Sequence, residues 1–130
     1  MQVETRRWVR KAESDLKGAR QLRGKTPQLN DLICFHCQQA AEKYLKALLQ
    51  ELGMAVPRTH DLSDLLDLLL PHEATLRPLR PGLVFLTQFA VDYRYPGESA
   101  TKRQAATALR LAERTQVELR VRLGLKNELK

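Results

Sequence analysis

From Gln28 to Leu52, apolar residues recur at the spacing of an α-helix, and this constrains the fold more than any other feature of the chain. Ile33, Cys37, Ala40, Ala41, Tyr44, Leu48 and Leu52 keep steps of three, four or a single residue, which places them along one side of a helix. Glu42 and Lys46 stand four apart in the favourable order for an intrahelical ion pair. Gly53 is placed to cap the helix C-terminus and Pro57 prevents its resumption. A helix of this length is held mainly by packing, so the chain must supply further helices or a sheet to cover its apolar side.

The rest of the sequence supplies helices. A first segment, Thr5 to Arg23, carries Val9, Ala12, Leu16, Ala19 and Leu22 as one stripe, with Arg6, Arg10, Lys17 and Arg20 largely off it. Gly24, Lys25, Thr26 and Pro27 then break the chain. A third segment, Asp61 to Leu70, turns Leu62, Leu65, Leu66 and Leu69 inward, and either Thr59 or Asp61 is placed to cap its start. Pro71, Pro78 and Pro81 mark a loop with a short turn at Ala74–Leu76. A fourth segment runs from Gly82 to Tyr93, ended by the proline at 96. The fifth, capped by Ser99 and reaching Gly124, has Ala105, Ala108, Leu109, Ala112, Gln116, Leu119 and Leu123 on its inner stripe. Strand-like alternation, internal repeats and low-complexity tracts are all missing. The expectation is all-α: an up-and-down bundle of four or five helices forming one domain over 1–130. Aromatic residues are only 5% of the 130 positions, so leucine and alanine have to fill the core.

The net charge of +7 is unevenly distributed. Residues 1–25 and 99–130 each hold 8 Lys and Arg against 3 acids, whereas residues 26–98 hold 6 against 9. Basic ends attract phosphates and acidic partners, and they equally serve as solvated surface. A charged N-terminus with no apolar segment after it lacks an export signal. The run Leu65–Leu70 is too short to span a bilayer and is interrupted by Asp67. Two cysteines make no secreted disulfide framework. The expected location is cytoplasmic, away from the membrane.

Motifs for common chemistries do not appear. The Cys34-Phe35-His36-Cys37 run has no second ligand pair for zinc and no preceding strand for a redox pair, so its thiols read as buried packing. His36, His60 and His72 show no metal-ligand spacing. His36 lies beside the apolar stripe, as a packed histidine or a groove-lining one, and His60 stands at a helix start. No phosphate-binding glycine loop, nucleophile elbow or metalloprotease pair is present. Asp61, Asp64 and Asp67 fall on one exposed helix side, which suits solubility better than acid–base work. No cofactor or metal is called for. The segment Asp92-Tyr93-Arg94-Tyr95-Pro96 stands out. Arg94 offers a planar fork for phosphate and the tyrosines offer stacking surfaces, or Arg94 ties the loop to a carboxylate.

The stretch from Phe35 to Leu49, FHCQQAAEKYLKALL, resembles the signature helix of the HEPN domain family. Thr59-His60-Asp61-Leu62 and Arg94-Tyr95-Pro96 follow in the family's order, and Trp8, Ala12, Asp15-Leu16 and Ala19 resemble its first helix. The resemblance runs from about Trp8 to Leu119. It implies a helical bundle, often a homodimer, frequently encoded beside a minimal nucleotidyltransferase as its substrate-binding or toxin partner. Other family members are metal-independent ribonucleases whose dimer brings together two Arg-x4–6-His motifs. This sequence departs from that motif. The required positions are Leu29, Asn30 and Asp31 before His36, Gly53, Met54 and Ala55 before His60, and Leu65, Leu66 and Asp67 before His72. None is arginine, and the family's catalytic pair is carried over to no residue.

The resemblance therefore points to a nucleotide-binding accessory protein of a minimal nucleotidyltransferase in a two-gene, toxin-antitoxin-like module. A ribonuclease toxin with a different site and a ligand-free interaction module are the alternatives. The candidate ligand-binding residues are His36, Lys43, His60, Asp61, Asp92, Arg94 and Tyr95. Lys43 and Arg94 are expected to meet phosphate, in a nucleotide or in RNA, and Tyr95 a base.

Overall fold

The computed structural model describes residues 1–91 and 96–127, and among these it contains helices and turns with no strand. Five α-helices follow in order: α1 Val3–Leu22, α2 Asn30–Glu51, α3 Leu62–Leu69, α4 Arg80–Thr87 and α5 Lys102–Arg122. Short 3-10 turns at Pro27–Leu29 and Ala74–Leu79 lead into α2 and α4.

The bundle is organised around α2, which packs most extensively on α1 and α5 and also touches α3 and α4. It is therefore buried on more than one side, and Cys34, Leu45 and Leu49 join the expected stripe in the core. Leu16, Leu48, Leu65, Leu69, Leu76 and Leu83 are among the large side chains that fill the interior. Burying each such side chain stabilises the fold by about 1.5–3 kcal/mol. Alanines 12, 19, 40, 105, 108 and 112 are all buried and give little width where helices meet. Cys34 and Cys37 are buried and not joined in a disulfide, as the sequence suggests.

The ends of α2 are fixed by specific contacts. At its C-terminus Gly53 adopts φ +74. Its N–H donates to Gln50 O at 3.0 Å, and the Met54 N–H donates to Leu49 O at 3.0 Å. This is the left-handed glycine stop expected at position 53. Beside it, the Glu51 carboxylate accepts from the Gln2 backbone N–H at 3.1 Å and from the Thr5 hydroxyl at 2.9 Å. Those bonds tie the start of α1 to the end of α2 and hold the Glu51 carboxyl below its ordinary range.

Several boundaries differ from the sequence expectation. Leu52 is the C-cap residue and is 39% exposed, because it lies past the last turn that packs on α1. Leu22, Gln116 and Leu123 are only partly buried. The fourth helix begins at Arg80, with Pro81 inside its first turn where a missing N–H costs nothing. It stops at Thr87, well before Tyr93. The Thr87 hydroxyl donates to Leu83 O at 2.9 Å and accepts from the Leu62 N–H at 3.1 Å, so α3 holds that end in place. The fifth helix is capped by Thr101 and not by Ser99. Thr101 Oγ1 accepts from Gln104 N at 3.0 Å, and Gln104 Oε1 accepts in return from Thr101 N at 2.9 Å, a reciprocal capping box. Asp31 Oδ1 accepts from Ala100 N at 2.6 Å and fixes the chain in a non-helical path up to that point. Of the two caps open for α3, Asp61 is the N-cap, and Thr59 Oγ1 accepts from its N–H at 3.1 Å.

Candidate functional site

Opposite its core-facing residues, α2 carries a polar arc made by Gln38, Glu42, Lys46, Gln39, Lys43 and His36. At 100° per residue these six positions cover less than half of the helix circumference. One part of the arc faces α1. Asp15 projects from α1 between His36 and Lys43, which stand seven residues apart and so share a side of α2. His36 Nδ1 lies 3.0 Å from Asp15 Oδ1, and Lys43 Nζ donates to Asp15 Oδ2 at 2.5 Å. The three side chains are 28%, 21% and 14% exposed for His36, Lys43 and Asp15, so the bridge sits at the rim of the interhelical groove. Gly18, one turn along α1, lies beside the His36 ring.

The other part of the arc is deeper. Glu42 and Lys46 form an ion pair at 2.9 Å with both side chains almost fully buried. Desolvating two charges costs several kcal/mol and is offset only when the remaining bonding positions are filled. Several of them are engaged here. Glu42 Oε1 takes His60 Nδ1 at 2.8 Å and Gln38 Nε2 at 3.3 Å, and Lys46 Nζ lies 5.7 Å from the centre of the Trp8 ring. Gln38 also donates to the His60 carbonyl at 3.0 Å, which anchors the segment before α3. Gln39 Nε2 donates to Gln38 Oε1 at 2.7 Å and joins the two parts of the arc.

The structure thus brings three sequence candidates, His36, Lys43 and His60, onto one arc and its rim. His60 remains largely exposed beside the buried Glu42 carboxylate. Asp61 is adjacent in the chain but otherwise engaged: its Oδ1 accepts from the Ser63 and Asp64 N–H groups and caps α3. Asp92, Arg94 and Tyr95 lie outside the described residues. Asp15, Gln38, Glu42, Lys46 and Trp8 are not among the sequence candidates. Their signal is nevertheless present: Gln38, Glu42 and Lys46 recur every fourth residue, and Trp8 and Asp15 stand seven apart. The same spacing describes a solvated helix face, so it does not by itself mark a site.

A second polar cluster lies between α1 and α5 beside a groove of about 410 Å³. Glu13 accepts from the Tyr44 hydroxyl at 3.1 Å and is paired with Arg120, and Gln116 Nε2 donates to the same phenol oxygen at 3.0 Å. Arg20 donates to Glu113 at 2.8 Å and to Gln116 at 3.2 Å. These groups saturate one another and hold α5 to the rest of the bundle. Burial pushes the Tyr44 phenol well above its ordinary range, the Gln116 bond opposing it and the Glu13 charge adding to it.

Among the described residues no group of three or more His, Cys, Asp or Glu is placed to hold a metal ion. No helix among them is long and apolar enough to cross a membrane.

The HEPN domain model matches residues 5–116. No curated protein matches the chain. Two solved structures are similar along nearly all of their length. An archaeal HEPN homologue, ST0689, shares 27% identity with a TM-score of 0.74, covering 92% of this chain and 97% of its own. The protein TT1696 from Thermus thermophilus shares 28% identity with a TM-score of 0.78, covering 92% and 98%. The all-helical fold and a family match across most of the sequence agree: the chain belongs to the HEPN domain family.

Proposed function

We propose that this HEPN protein is a nucleotide-binding accessory subunit that works with a minimal nucleotidyltransferase and acts as a homodimer. The observation that supports this reading best is the Lys43–Asp15–His36 bridge. It holds a partly exposed ammonium group in a fixed position beside an imidazole, on the signature helix. A phosphate approaching this rim meets a cation whose side chain is already ordered, which lowers the entropic cost of binding. His60 supplies a further donor, and Arg94 and Tyr95 are the sequence candidates for a second phosphate contact and for base stacking. The ribonuclease alternative has less support, because no histidine carries the Arg-x4–6-His spacing.

Calorimetric titration with a panel of nucleotides tests the proposal, with the protein alone and co-purified with a minimal nucleotidyltransferase. Wild-type protein is expected to bind, with Lys43→Ala and Arg94→Ala each weakening binding by about tenfold, the worth of one charge-assisted contact. Equal affinities for the three proteins, or no binding in either setting, would overturn it. Light scattering on the same samples reports whether the chain is dimeric.

A further inference from the structure

A separate cavity of about 280 Å³ lies where the α1–α2 turn meets the start of α5, and among the described residues it shares none with the site proposed for nucleotide. Among the described residues its charged lining is all of one sign: Arg23, Lys25 and Lys102 border it and no carboxylate does. None of these three side chains has a hydrogen-bond or ion-pair partner among the described residues, in a protein where many other charges are paired. Thr26 and Asn30 line the same space. Thr26 is the N-cap residue of the 3-10 turn, yet its hydroxyl makes no capping bond and stays available.

The start of α5 breaks a local rule at this point. Its first turn contains Lys102 and Arg103 and no acid, although the N-terminus of a helix carries positive partial charge and favours anions. Placing cations there costs stability unless an anion is bound between them. Departures of this kind concentrate at functional positions. The remaining wall is apolar, formed by Ile33, Ala105 and Ala106.

We infer that this cavity binds a small organic phosphate monoester. Its dianionic head lies among Arg23, Lys25 and Lys102, and its apolar body rests on Ile33, Ala105 and Ala106. Three cations bordering one cavity match a dianion better than a single carboxylate, and the volume is at the lower limit of small-molecule sites, leaving room for one ring beyond the phosphate.

Phenyl phosphate and inorganic phosphate are the probes, titrated by calorimetry into the full chain, with circular dichroism confirming that each variant is folded. Phenyl phosphate is expected to bind about tenfold more tightly than inorganic phosphate, the worth of one partly buried ring. Lys102→Ala weakens it by about fivefold and Arg23→Ala/Lys102→Ala removes it, as does raising the salt concentration. Ala106→Leu keeps every charge and fills the mouth, so it weakens phenyl phosphate and leaves inorganic phosphate unchanged. Equal binding by wild-type and the double variant overturns the assignment, as does an Ala106→Leu protein that binds phenyl phosphate normally. Inorganic phosphate binding as tightly as phenyl phosphate also overturns it. The variants at Arg23, Lys102 and Ala106 leave Lys43 and Arg94 in place, so failure here is distinct from failure of the nucleotide reading.

Discussion

Glu42 and Lys46, one turn apart on α2, pair at 2.9 Å inside the bundle, with side chains only 5% and 7% exposed. The same spacing on a solvent-facing helix is worth a few tenths of a kcal/mol. Here the pair is the hub that joins α2 to the His60 segment and to Trp8 on α1.

Removing one member leaves the other charged and buried. Glu42→Leu and Lys46→Met are each expected to lower unfolding free energy by about 3–5 kcal/mol. The double variant should lose clearly less than the sum of the two, because two apolar side chains replace two desolvated charges. Urea unfolding of the four proteins measures the coupling, and additive losses would show that the pair does not act as a unit.

The two cysteines should be inert in the folded protein. Both are buried, and burial pushes the Cys37 thiol well above its ordinary range, with Cys34 and Glu113 adding and Arg20 opposing. Ellman's reagent at mildly alkaline pH is expected to label neither until denaturant is added. Fast labelling of the native protein would contradict the packing of α2.

Alkaline pH should destabilise the fold, and the sign follows from the same burial. The Tyr44 phenol and Cys37 thiol keep their protons in the folded state above the pH at which the unfolded chain releases them. Their contribution is fully present below the unfolded values, about 8.5 for cysteine and about 10 for tyrosine, and is lost as pH rises towards the raised folded values. Thermal unfolding across this range should show a falling midpoint, with a shallower fall in Tyr44→Phe.

Capping of α5 discriminates between two neighbouring hydroxyls. Thr101→Ala removes the acceptor for Gln104 N and should cost about 1 kcal/mol, whereas the exposed Ser99→Ala should leave stability unchanged. Denaturant midpoints for the two variants report this directly.

Gly53→Ala should cost about 1 kcal/mol, since φ +74 brings a Cβ too close to the following carbonyl although no other part of the molecule obstructs it. A neutral result in the same unfolding assay would show that the backbone there relaxes.

The sequence alone determined the helical class, the five segments and most of the core. Those follow from local periodicity: Val9 to Ala19, Ile33 to Leu48 and Leu62 to Leu69 repeat at helical steps whatever their neighbours do. The stop at Gly53 was equally local. Tertiary structure decided what depends on contacts distant in the chain. Asp31 reaching Ala100 moved the α5 cap to Thr101, and Thr87 bonding to Leu62 helped fix the end of α4. Only packing turned the polar residues of α2 from a solvated face into a groove, by placing Asp15 of α1 between His36 and Lys43 and by closing His60 and Trp8 over Glu42 and Lys46. Periodicity shows which side of a helix is polar. Whether that side meets water or another polar side is set by how neighbouring helices are rotated, and no single segment encodes that rotation.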